Sequence, residues 1–403
     1  MSEPAQVSST RLVVDNETVR QDLGLLGELA GTWTGQGFNL IARPDHKDQA
    51  NLYLQLNQTH ETLTVTSIGS AIPNRGFGQD DIELFGLSYL QQIHDQSTGG
   101  ALHLEPGLWI TQPATDYPPE QPPASAPGAQ IIARMASIPH GNALLAQGNA
   151  THFTGPPTLA SATQPYAGSV FPSFNSTPFG AGPPIVINAA GSSEKLTAAQ
   201  IPGAVPFGEY DLTVPDSAAN PRTPFASSPA EPPLPAEING ELMQDVINDP
   251  IRLLQAVISK QVDSGHTFEG AVLNIATQSA VSFRENLDSP PTGPTVNIPV
   301  TDAAGGIENI LFLDGETLTL PGGPPGGAAA PNAQTSLVYA TFWIEKVTPR
   351  NGRQFMQLQY AQMTALNFPI FSLLNPPPGG PAPVLVNLGW PHISVATLRK
   401  AFN

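Results

Sequence analysis

Residues Ser336–Val347 read SLVYATFWIEKV and Gln354–Leu366 read QFMQLQYAQMTAL, with TPRNGR between them. Both runs are rich in aromatic and branched side chains, and Asn351-Gly352 in the link is a strong two-residue hairpin signal. The pair therefore reads as an antiparallel hairpin. On its second strand Met356, Leu358, Tyr360 and Gln362 share one face, and Phe355, Gln357, Gln359, Ala361 and Met363 share the other. Neither face is wholly apolar, so both meet mixed surroundings, as in the wall of a barrel around a ligand cavity.

Upstream, the same alternation recurs. GTWTGQGFNLIARPD (Gly31–Asp45) is a strand with three glycines, which a curved barrel needs and a flat sheet does not. Further strands are expected at Leu52–Leu56, Glu61–Ile68, Asp81–Ile93, Ala101–Ile110, Gln130–Ser137 and Ala143–Thr151. Short strands joined by turns predict a meandering antiparallel sheet that closes on itself, an all-β barrel. The apolar run LGLLGEL, Leu23–Leu29, predicts a helical turn that plugs something.

The whole chain, 1–403, reads as one elaborated domain: a first barrel half over 23–152, a loop-rich insertion over 153–335 and closing strands over 336–403. The insertion is thick with Pro, Gly, Ser and Ala, and strands are expected in it near Glu209–Val214, Ala271–Gln278 and Asn309–Asp314. Around 250–261 a helix is expected, with Asp249 as N-cap and Pro250 as first helical residue. Ile251, Leu254, Val257 and Ile258 form its apolar face, which should pack on the barrel or cover its mouth. A shorter helical turn, Glu241–Ile247, precedes it.

Composition narrows the chemistry. The 403 residues carry 16 Lys and Arg against 33 Asp and Glu, a net charge of −17, so no basic footprint for nucleic acid or an anionic membrane exists. The absence of cysteine excludes disulfides, thiolate-held haem, iron–sulfur clusters and cysteine zinc sites. With no run of 18 apolar residues and no apolar leader in MSEPAQVSST, the expectation is a cytoplasmic protein with no membrane partner. Oligomeric state is open.

Two residues invite a site. Pro391 stiffens the backbone entering His392 in GWPHISVATLRKAF, Gly389–Phe402, which reads as a short closing segment. A neutral imidazole is a good iron ligand, and one proximal His holds haem; the plainer reading is a hydrogen-bonded structural histidine. Arg134 stands between Ala133 and Met135 in an apolar strand. Facing inward it would want an anionic partner, such as a haem propionate or a bound peroxide; facing outward it would be solvated. His94, His140 and His152 adjoin turns and read as exposed.

Five segments in order then carry a resemblance: GTWTGQGF, LHLEPGLW (Leu102–Trp109), IIARMASIPHGNALLAQG, YAQMTAL and WPHISVATLRK. They resemble the nitrobindins, haem-binding β-barrels related in shape to the lipocalins. The resemblance covers about a third of the chain. Leu108 stands where an aromatic is usual, and the chain is much longer, with inserts after Thr151 and before His392. It implies haem b with iron held by His392, His103 beside Leu102 as distal wall, Arg134 as a polar cavity residue and Met363 as a cavity-lining residue. It further implies a small diatomic or peroxide-type ligand, with nitric oxide binding, peroxynitrite isomerisation or a peroxidase activity helped by Arg134. For His103 an outward position, and for Met363 plain core filling, are the competing readings. Leu102 and His103 must face opposite ways unless the strand bulges. A haem-free, lipocalin-like carrier of a small hydrophobic ligand is the alternative function, and a barrel filled by its own side chains a third.

Overall fold

The computed structural model describes residues 16–45, 50–74, 82–111, 130–138, 142–159, 185–188, 193–195, 235–276, 278–282, 295–299, 334–371 and 385–401. Ten strands form the wall: β1 (Gly31–Asp45), β2 (Ala50–Ser67), β3 (Ile82–Asp95), β4 (Ala101–Thr111), β5 (Gln130–Ile138), β6 (Asn142–Thr154), β7 (Thr267–Ala276), β8 (Gln334–Thr348), β9 (Phe355–Phe371) and β10 (Leu385–Lys400). Each pairs antiparallel with the next, and β10 returns to β1, with Trp33 opposite Lys400 and Ile41 opposite His392. The expected closed antiparallel β-barrel is thus the fold.

Two expectations change. The tail is not a short docked segment; β10 is a 16-residue strand that seals the barrel. The stretch 153–335 is not all insertion, because β7 lies within it and pairs with both β6 and β8. It is the strand expected near Ala271–Gln278, and it belongs to the wall and not to the insertion. The strands expected at Glu209–Val214 and Asn309–Asp314 lie outside the described residues.

One end of the barrel is closed by helix α1 (Asn16–Leu23) and a 3₁₀ helix, Gly24–Leu29. Val19, Leu23, Leu26 and Leu29 are buried against inward residues that include Trp33, Val65, Phe85, Trp109 and Ile132. The indole Nε1 of Trp33 donates to the Leu29 carbonyl at 2.7 Å. Gln130 grips the plug from the wall: its Oε1 accepts from the Leu25 N–H (2.8 Å) and its Nε2 donates to the Leu23 carbonyl (2.9 Å). Gly24 makes this turn possible, since its φ is +51° and an added Cβ would come within 2.6 Å of Gln130 Oε1. The apolar run at Leu23–Leu29 is therefore the plug that was expected.

A second core lies outside the barrel. Helices α2 (Met243–Asn248) and α3 (Arg252–Asp263) pack on the outer faces of β1, β8, β9 and β10. Ile251, Leu254 and Ile258 are buried there with Phe38, Leu40, Trp343, Val347, Ile393 and Val395. The helix packs on the wall rather than over the mouth. It starts two residues later than expected; the Asp249 carbonyl accepts from the Arg252 N–H in an opening turn. This layer also corrects the reading of the mixed hairpin faces. The outward residues Phe355, Gln357, Gln359, Ala361 and Met363 are semi-apolar because a helix covers them, with no ligand cavity required.

Candidate functional site

Strand register assigns the inward residues. Trp33, Gly35, Gly37 and Asn39 of β1 align with Leu63, Glu61, Thr59 and Asn57 of β2, and then with Gln91, Ile93 and Asp95 of β3. Gln91 and Ile93 align with Glu105 and His103 of β4, and Trp109 aligns with Arg134 of β5. On the closing side, Leu358, Tyr360, Gln362 and Thr364 of β9 align with Leu398, Ala396, Ser394 and His392 of β10. Above the apolar, plugged half, the interior is therefore polar. Glu61, Gln91, Glu105 and Arg134 are buried in it, so they must satisfy each other.

They do so through Arg134, which is 2% exposed. Its Nη2 donates to Glu105 Oε1 at 2.5 Å, its Nε to Tyr89 Oη at 2.8 Å and its Nη1 to Gln362 Oε1 at 2.7 Å. The Tyr89 hydroxyl also donates to Glu105 Oε1, and His103 Nε2 lies 3.0 Å from Glu105 Oε2. The rings of Tyr89, Trp109 and Phe342 stand 5.2–5.6 Å from the guanidinium carbon. A second chain abuts the first: Tyr360 Oη donates to Glu61 Oε1 at 2.6 Å, while Gln91 Nε2 donates to Tyr360 Oη at 3.1 Å and reaches Glu61 Oε2 at 3.3 Å. Hydrogen bonds thus cross the barrel from β4 and β5 to β9 and form a polar floor midway along it.

The two buried carboxyls differ in electrostatics. Burial pushes both upward. For Glu105 the Arg134 guanidinium and His103 overcome burial and hold it down at about 2. Glu61 has neutral hydrogen-bond partners, Tyr360 and Gln91, and stays up at about 7. Glu105 is therefore an anion that fixes Arg134 and accepts the His103 N–H, whereas Glu61 exchanges a proton near neutrality. Burial raises the Tyr89 and Tyr360 hydroxyls, which stay neutral donors.

No family model matches the chain, and no curated protein matches it. Among solved structures, the one described as "Crystal Structure of Rv2717c from M. tuberculosis" aligns over 94% of this chain and 98% of that one, at 10% identity and a TM-score of 0.29. Likeness at that level carries no argument about this chain, so its chemistry is read from its own residues.

Of the residues singled out in the sequence, Arg134, His103 and His392 face inward and Met363 does not. Arg134 finds its anion in the chain itself: Glu105 takes the place expected for a propionate or peroxide. His103 faces inward opposite Ile93, in unbroken register with Glu105; the bulge falls just beyond it, at Leu102, and alters only the pairing of Ala101. Met363 pairs with Ile393, lies on the outer face and packs under the helices, so it lines no interior cavity. His392 is the inward residue between Ile41 and Thr364, one inward position beyond Ser394 and hence beyond the Gln362 level. On the neighbouring strand the inward Asn39, opposite Ser394, has a buried Oδ1 with no hydrogen-bond partner among the described residues, and so does Thr59 Oγ1, which sits against Gly37. Among those residues there is also no cluster of three or more His, Asp or Glu able to hold a bare metal ion.

The sequence reading passed over Glu61, Glu105, Tyr89, Gln91, Tyr360 and Gln362. A signal for Glu61 existed, since it shares strand parity with Leu63 and Val65. An acid on an otherwise apolar face wants a partner inside.

Proposed function

We propose that the barrel holds haem b on the far side of the polar floor from the plug, with His392 as the iron ligand, and that it handles nitric oxide, peroxynitrite or a peroxide there. The observation that carries this reading is the inward position of His392 on the sealing strand, facing the polar half of the barrel. The residues present fit such a group in two respects. One imidazole suffices to hold haem iron. The orphaned Asn39 Oδ1 belongs to the inward residue next along β1 from Ile41, the partner of His392, where a bound polar group or ordered water would satisfy it.

When bound, the haem would supply a ferric iron with an open position for the small ligand. The chain's own contributions are distinct. The Arg134–Gln362 hydrogen bond and the Tyr89–Glu105 pair close the floor, so the group sits above it and not in the plugged half. The Glu61 carboxyl, whose Oε1 accepts from Tyr360 Oη, stores a proton that leaves near neutral pH. Arg134 acts through Gln362 and is not a direct partner of the ligand, because Glu105 occupies its charge.

Haemin titrated into the purified protein tests the reading. A sharp Soret band saturating at one haem per chain is the expected result. A spectrum that remains that of free haemin at stoichiometric protein contradicts it and moves the haem-free carrier to the front.

A further inference from the structure

A cavity of about 510 Å³ lies on the outside of the wall, between α3, the turn at Ile238–Asn239 and the outer faces of β1 and β10. That volume suits a small organic molecule. One side is apolar, formed by Ile238, Leu253, Leu254, Val257 and Val395. Along β10 it runs from Val395 to Arg399, about 13 Å at 3.3 Å per residue. At that end Arg399 lies opposite Gln357 and beside Thr397, so apolar length finishes on donors.

Charge sharpens the picture. The chain has 33 acidic residues, yet none lines this cavity. Arg399 is not neutralised by an ion pair among the described residues; its guanidinium carbon sits 3.6 Å from the Phe355 ring centroid, which leaves its N–H edges open. The acid that acts on it is Glu345, buried beside Gln357, whose Nε2 donates to Glu345 Oε2 at 2.5 Å. Burial lifts that carboxyl to about 8, which weakens its hold on the cation at neutral pH. An exposed guanidinium with a planar backing is suited to a carboxylate.

We propose that this outer cavity binds a small amphipathic carboxylate, its acid group on Arg399 and its aliphatic or aryl tail along Leu253, Leu254, Val257 and Val395. The site is separate from the barrel interior and does not rest on haem. Its covering element, α3, would be steadied by the occupant.

Isothermal titration of the full chain with decanoate, and with decanol as the uncharged control, tests it. One saturable decanoate site is expected, with decanol at least about tenfold weaker, since a charge-assisted pair is lost. Arg399→Gln should bring decanoate to the level of decanol, Arg399→Lys should retain part of the preference, and Val257→Trp should fill the cavity and abolish binding. His392→Ala should bind decanoate as the native protein does. Circular dichroism confirms that each variant is folded. Absence of a saturable site, equal affinity for decanol, native-like binding by both Arg399→Gln and Val257→Trp, or loss in His392→Ala each overturns the proposal. Failure of haem to bind leaves it standing.

Discussion

At the scale of single residues, Arg134 organises the interior. A guanidinium taken out of water is tolerated only when paired, and here Glu105, Tyr89 and Gln362 share its donors while three aromatic rings surround it. Removing the cation leaves Glu105 buried and ionised beside its hydroxyl and imidazole partners. Arg134→Leu should therefore cost about 3–5 kcal/mol in urea unfolding, the range for breaking a buried pair from one side. A loss below 1 kcal/mol would mean that the guanidinium is replaceable by packing, and the floor would not depend on it. The paired change Arg134→Leu with Glu105→Gln should recover part of the loss, because the stranded charge goes with its partner.

At the scale of elements, α3 is the clearest case. Its Ile251, Leu254 and Ile258 are buried against the outer wall, and Gln261 Nε2 donates to Gln357 Oε1 at 2.8 Å. Limited proteolysis should spare residues 252–263, and Leu254→Ala, which empties a fully covered site, should cost about 2–5 kcal/mol and expose the helix to cleavage. Unchanged stability and an equally protected helix would contradict the packing described. Elements were also where sequence was most legible. Alternation identified nine of the ten wall strands, splitting β2 into two at Leu52–Leu56 and Glu61–Ile68, and the periodic apolar face identified α3. The exception is β10, whose Pro391 and lone histidine made it read as a short docked tail, while β7 was expected as a strand at Ala271–Gln278 but assigned to the insertion and not to the wall. The interior network was mostly illegible for a different reason. Alternation reports which residues share a face, but which face is inside follows only from register, and Arg134 meets Gln362 across 228 positions of chain. Glu105 stood in a quoted motif and still gave no sign that Arg134 was its partner.

For the whole molecule, the buried carboxyls set how stability follows pH. Glu61 has a folded-state value of about 7 against an ordinary 4.5, so between those pH values the folded chain holds a proton that the unfolded chain releases. Stability therefore falls as pH rises through this window. Glu105, held at about 2, acts with the opposite sign: its contribution is present above 4.5 and is lost as pH falls toward 2. Unfolding free energy should peak near pH 4.5–5, and Glu61→Gln should remove on the order of 3 kcal/mol of the decline between pH 5 and 7.5. Glu345, lifted by burial to about 8, adds a similar decline that Glu61→Gln leaves in place. A Glu61→Gln variant with the native pH profile would show that Glu61 titrates normally.

The central claim is that the inward imidazole on the sealing strand holds haem iron, and the spectrum of His392→Ala beside the native protein tests it most directly. Both are titrated with haemin and followed through the Soret region. The native protein should saturate at one haem with a sharp band, His392→Ala should lose that band or bind haem loosely, and added imidazole should restore much of it; His103→Ala should keep native haem content. A His392→Ala variant with a native Soret band at full occupancy would contradict the assignment of His392 as the ligand.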